Sequence, residues 1–190
     1  MSFVEPTETD EVTFGALASA RDLALRLGVD EDDPGLMLAL YRISDRFRGE
    51  VGFPVSLTTD DEVWLSGNGT RVLLLPGRPI VGDPVITIDG VPATGVEVGR
   101  SSGVLRRRAG WPDGLDNVHV TYTHGYTEIP RDIQDAVLDV AEVAAVLKPG
   151  IEHVATGDES VKFVNRMVDT GTTATWTRVV EKYRGDGQQT

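Results

Sequence analysis

Residues 117–147 constrain the chain most. They begin Asn-Val-His-Val-Thr-Tyr-Thr-His-Gly-Tyr-Thr-Glu-Ile-Pro. Val118, Val120 and Tyr122 point one way, and His119, Thr121 and Thr123 the other. This period of two, rich in β-branched and aromatic residues, predicts a half-buried strand. Gly125 breaks it. Ile129-Pro130 biases the chain away from helix until Pro130 itself opens one. From there apolar residues recur at Ile133, Val137, Val140, Ala144 and Leu147, while Asp135, Asp139 and Glu142 mark the wet face. Lys148-Pro149-Gly150 supplies a cation, a breaker and a glycine as the stop. One strand feeds one core helix.

The flanking segments extend this plan. Residues 1–11 are polar, acidic and interrupted by proline, and read as a mobile arm. A first helix is expected over 14–27, with Phe14, Leu17, Arg21 and Leu25 in one line and Gly28 as terminator. A second is expected over 34–51. Asp33 precedes Pro34 as cap, and Leu36, Leu40, Ile43 and Phe47 face inward with Met37 and Tyr41 beside them. The run Asp30-Glu31-Asp32-Asp33 favours the positive end of that helix and does not place oxygens as a calcium loop would. From 58 to 125 the period becomes two. Glu62–Ser66 and Thr70–Leu75 flank Gly67-Asn68-Gly69, an expected tight hairpin, and Asp89-Gly90 signals a second. Val96–Val98 and Val104–Arg107 are further short strands, and 110–114 a loop. Val161–Val164 alternates briefly, and a last helix over 175–183 aligns Trp176, Val179, Val180 and Tyr183. The expected class is α+β, a small helical bundle with an inserted block of β-hairpins.

Composition bears on function mainly through charge. The chain has 190 residues, 18 Lys and Arg against 30 Asp and Glu, a formal charge of −12, and no cysteine. Disulfides and cysteine-based zinc sites are thereby excluded. Such acidity argues against wrapping nucleic acid, whose affinity depends on cations that release counterions. The first residues lack the pattern of a signal peptide, and no apolar run approaches the roughly 18 residues of a membrane helix. His119 and His124 share no helical face and lack an obvious completing carboxylate, so no metal is expected. Gly67-Asn68-Gly69-Thr70 lacks the lysine of a phosphate loop. Ser101-Ser102-Gly103 has no base partner. No catalytic residue and no cofactor is expected.

Two segments are left as contact candidates. Arg106-Arg107-Arg108, followed by Trp111, is the one basic run, and a neighbouring acidic subunit would suit it better than DNA. Residues 151–190 lose dense apolar periodicity. Their terminal helix either packs on its own bundle or reaches outward, with Val161 and Phe163 in an added strand and Trp176, Val180 and Tyr183 anchoring the contact.

Several fragments, in order, carry a resemblance. They are Trp64-Leu65-Ser66-Gly67, Leu73-Leu74-Leu75-Pro76-Gly77-Arg78-Pro79, Gly103-Val104-Leu105-Arg106-Arg107, Gly110-Trp111-Pro112, and Tyr122-Thr123-His124-Gly125-Tyr126 with Pro130 and an Ala/Val-rich helix. Over about residues 33–147 the chain resembles the head-to-tail connector (adaptor) proteins of long-tailed bacteriophages of actinobacteria. The last 40 residues follow that pattern only loosely. The resemblance implies a structural virion protein: a ring of twelve subunits beneath the portal, which extends the DNA channel and offers a platform to the next head-completion (stopper) or tail protein. It would assemble in the host cytoplasm, pass genome DNA without reading its sequence, and touch no membrane. In that frame 12–150 is the adaptor core and 151–190 the segment that docks on portal. A competing reading is a β-rich ligand- or carbohydrate-binding module with helical support, with Trp64 and Trp111 as its stacking surface.

Overall fold

The computed structural model describes residues 15–146 and 173–185. The expected arm at 1–11, Phe14, Leu147, the expected stop at 148–150, the expected strand at Val161–Val164 with Phe163, and residues 186–190 lie outside them. Helices α1 (Ala20–Leu27) and α2 (Pro34–Val51) precede strands β1 (Thr58–Gly67), β2 (Val72–Leu74), β3 (Ile80–Ile88), β4 (Val91–Pro92), β5 (Val96–Gly99), β6 (Val104–Arg107) and β7 (Gly114–His124). Helices α3 (Arg131–Val146) and α4 (Ala174–Gly185) follow. The mixed α+β class is as the periodicities predict. The helices share one core and the strands another.

The capping chemistry of α2 acts as expected. The Asp33 carboxylate accepts the Gly35 N–H at 2.7 Å, Pro34 opens the helix, and Gly52 closes it at φ 80° with its N–H on the Arg48 carbonyl. Leu36, Leu40, Ile43 and Phe47 are all buried. In α3, Ile133, Val137 and Val140 are buried together with Ala136, Leu138 and Ala141. Ala144 faces solvent instead, because the stripe drifts away from the bundle at that end.

The first helix differs from expectation. It begins at Ala20, where Ser19 caps the Asp22 N–H, and residues 15–19 are not helical. A serine oxygen that satisfies an orphan N–H starts the helix more effectively than weak periodicity extends it backwards. The buried residues of α1 are Leu23 and Ala24, and Leu25 is 73% exposed, so its phase is turned from the predicted one. Leu17 still enters the core, from a bend before the helix, with its N–H on Ser44 Oγ at 2.9 Å.

Two antiparallel sheets, ordered β1-β7-β3-β4 and β2-β6-β5, enclose the second core of Ile86, Leu105, Trp111, Val118 and Val120. The Asp89-Gly90 hairpin forms as a two-residue loop between Ile88 and Val91, with both residues at positive φ (50° and 78°), as the twist of adjoining strands favours. The expected hairpin around Asn68 does not form, because β1 and β2 belong to different sheets. Asn68 Oδ1 instead binds the N–H and hydroxyl of Thr70, and Gly69 and Thr70 exchange backbone bonds with Trp111. The turn thus carries the chain across the core.

The sheets join the bundle at one place. Residues 55–57 follow α2 and run beside residues 125–126, which lead to α3; the Leu57 N–H donates to the Tyr126 carbonyl and the Tyr126 N–H to the Val55 carbonyl. Next to this junction runs the Pro76–Pro79 segment. Arg78 donates to the last carbonyls of α4, at Tyr183 (2.8 Å) and Arg184 (3.3 Å), and its guanidinium lies over the Phe53 ring at 4.7 Å. A cation at a helix C-terminus is favourable there. Gly77 lies against the ring of buried His124, and its N–H donates to Tyr122 Oη at 2.9 Å.

Candidate interaction surfaces

The basic run is divided by strand geometry. Arg106 projects from β6, is exposed, and reaches Glu97 only at 3.9 Å. Arg107 turns back, donating to the carbonyls of Gly110 (2.6 Å) and Thr94 (3.4 Å), so it braces its own loop. Arg108 is exposed, and no described residue pairs with it. Trp111 corrects the sequence reading: it is 1% exposed, inside the sheet core. It serves neither as docking anchor nor as stacking surface. Its phase was not readable from a loop without periodicity.

The large groups of α4 are likewise internal. Trp176 meets Phe47 edge-to-face at 5.3 Å and donates its indole N–H to Glu50 at 2.9 Å. Val180 and Tyr183 are buried with it, and the Tyr183 hydroxyl donates to Asp132 at 2.9 Å. The outward alternative for these three residues is therefore replaced by packing on their own bundle. A short helix gains its stability from such packing rather than from propensity. Val161 and Phe163 lie outside the described residues.

Two further surfaces emerge, and of the first the sequence named only Trp64 as a contact, in the competing reading. The first is the outer face of the larger sheet, where Trp64, His119, Thr87 and Pro92 pair in one row across four strands. Trp64 is 62% exposed and stacks on His119 with centroids 4.3 Å apart, and Glu62 stands 3.6 Å from His119 Nε2. The alternation of Glu62, Trp64 and Ser66 against Val63 and Leu65 was the available signal. The second is a groove of about 740 Å³ where the start of α1 meets the start of α3. Ile129 and Leu138 line its apolar part, and Asp22, Glu128, Asp135 and Arg131 give it three negative charges against one positive.

Burial and charge shift a few groups. Burial pushes the Tyr122 hydroxyl up to about 12, the Gly77 N–H opposing this in part. Burial lowers the Arg48 guanidinium, partly offset by Asp45, and Arg48 ties α2 to the Gly15 carbonyl and Ser56. For Asp132 burial acts upward, but hydrogen bonds from Lys182 and Tyr183 prevail and hold the carboxyl below its usual value. His124 and Asp61, 3.1 Å apart, form an internal hydrogen bond in which the histidine has the carboxylate the sequence left unassigned. Among the described residues, no three His, Asp or Glu groups are placed to hold a metal, and no helix is long and apolar enough to cross a membrane.

No family model and no curated protein matches the sequence. Among solved structures, a chain in the virion of a native gene transfer agent (GTA) particle matches with a TM-score of 0.54 at 17% identity, over 95% of this chain and 94% of that one. A chain in the neck of an empty GTA particle, computed with C6 symmetry, matches with a TM-score of 0.52 at 15% identity, over 87% and 94%. At such identities the likeness is one of fold, and it spans nearly the whole of both chains.

Proposed function

We propose that this chain is a structural protein of a virion neck, a head-to-tail adaptor. It forms a ring of twelve beneath the portal, extends the DNA channel and presents a platform for the stopper or tail. The observation that carries this reading is the fold shared end to end with a chain of a GTA virion. A ring of twelve also obeys the sixfold symmetry with which the empty neck was computed. The ordered fragments of the sequence add support, since Leu73–Pro79 and Tyr122–Tyr126 form the junction that sets sheets against bundle. The mechanism is assembly. Subunits meet through unlike surfaces, residues 151–172 with Val161 and Phe163 dock on portal as an added strand, and acidity keeps DNA from adhering in the channel.

Co-expression of the full chain with the portal of the same particle, followed by sedimentation and electron microscopy, tests the proposal. Rings of twelve seated on portal are expected. A chain that stays monomeric beside portal and is missing from purified particles overturns it.

A further inference from the structure

Two surface features of this chain are complementary in charge. The groove between α1 and α3 presents Asp22, Glu128 and Asp135 around Ile129 and Leu138, with Arg131 as the one opposing charge. Asp22 and Glu128 have no ion-pair partner among the described residues, and Asp135 has only Arg26, at 3.6 Å. In the smaller sheet, β6 and the turn after it expose Arg106, which reaches Glu97 only at 3.9 Å, and Arg108. Val72, 46% exposed, pairs with Arg106 in register and gives this corner an apolar side. The groove belongs to the helical core and the corner to the sheet core.

We propose that Arg106, Arg108 and Val72 of one copy seat in the α1–α3 groove of the next, against Asp22, Glu128 and Asp135. The inference rests on the ring reading and names its subunit contact. Corner and groove are different surfaces, so the contact repeats head to tail and closes into a ring when the rotation returns on itself. Exposed ion pairs are individually weak, but opposed potentials fix register and penalise wrong partners, while Val72 and the half-buried Ile129 add an apolar contact. The chain's own residues 1–14 are the other candidate occupant. They carry Glu5, Glu8, Asp10 and Glu11 and no Lys or Arg, so the groove would repel them.

Charge exchange tests this directly. One variant carries Arg106→Glu and Arg108→Glu, the other Glu128→Arg and Asp135→Arg, each checked for unchanged circular dichroism and melting. Alone, each is expected to raise the concentration needed for half-assembly at least about tenfold, the equivalent of 1.4 kcal/mol. Mixed in equal amounts they regain assembly, because wild-type contacts then alternate with contacts whose main charges are exchanged. A mixture no better than its parts, or normal assembly of either variant alone, overturns the contact. Because the chain has no cysteine, Ala109→Cys with Thr127→Cys gives an independent readout. Mild oxidation of the full chain on portal should yield a ladder of linked subunits. Intact rings without that ladder overturn the contact and leave the adaptor reading standing. A disulfide within one chain between Val12→Cys and Thr127→Cys also overturns it, by placing the arm in the groove. Failure of the unaltered chain to form any ring, free or on portal, overturns both.

Discussion

At Gly77 a single methyl group would collide with a buried ring. A Cβ there would lie 2.4 Å from ring atoms of His124, well inside contact distance. The ring cannot withdraw cheaply, since Nε2 is bonded to Asp61 at 3.1 Å and the ring packs against Tyr122 at 4.8 Å. Gly77→Ala should therefore cost about 1–3 kcal/mol, as overpacked sites do. Gly49 is the contrast: it lies within α2 with no atom near its would-be Cβ. Gly49→Ala should stabilise by about 0.4–1 kcal/mol through helix propensity and a less flexible unfolded chain. Urea unfolding of both variants checks the pair, and equal effects of one sign would refute the packing account. Residues of one type also differ in how legible they are. Trp64 sits in a strict alternation that assigns it outward, whereas Trp111 follows Gly110 in a segment with no period. Its burial comes from the turn at Asn68 that crosses the core, a contact between residues about forty positions apart.

Elements were legible where local chemistry and packing agree. In α2 a cap, a proline and a continuous stripe specify the same helix, and α3 has a strand before it and a long apolar face. Strand positions were readable too, but not their partners. Asn-Gly favours a tight turn locally, and pairing was decided instead by which strands cover the common core. At α1 the Ser19 cap outweighed a loose stripe. Contacts between elements were not legible either, and Asp132 shows why. It accepts from Lys182 at 2.8 Å and from Tyr183, fifty residues away, linking α3 to α4. The sign of its pH dependence follows from its lowered pKa. The unfolded chain protonates Asp132 near 3.8, the folded chain only at lower pH. Stability from this carboxylate is thus complete above 3.8 and is lost as pH falls through the lower folded value. Asp132→Asn should cost on the order of 1 kcal/mol at pH 7, solvent screening the Lys182 pair. Melting temperatures of the two proteins should converge below about pH 4, and a gap that stays constant down to pH 2 would rule out this linkage.

On the scale of the whole molecule, charge and connectivity yield the remaining predictions. A formal charge of −12 leaves little to release counterions, so the isolated protein should show no salt-sensitive affinity for duplex DNA. Micromolar binding that weakens steeply between 50 and 200 mM salt would instead make Arg106 and Arg108 a DNA contact. The C-terminal region separates two roles that the sequence left merged, holding the bundle and meeting a partner. Trp176, Val179, Val180 and Tyr183 complete the core formed by α1, α2 and α3. Deleting 151–190 strips all four from it. Truncating one large core residue costs about 3–5 kcal/mol, and a domain's whole stability is about 5–15. The deletion should therefore abolish cooperative melting, and a folded truncation would show that α4 is dispensable. Replacing 151–172 by Gly and Ser residues of equal length leaves α4 and its core contacts in place. That variant should melt like the unaltered protein yet fail to co-sediment with portal, because only the proposed docking strand around Val161 and Phe163 is gone. If it folds normally and still joins portal rings, docking belongs to the described surfaces and not to this segment.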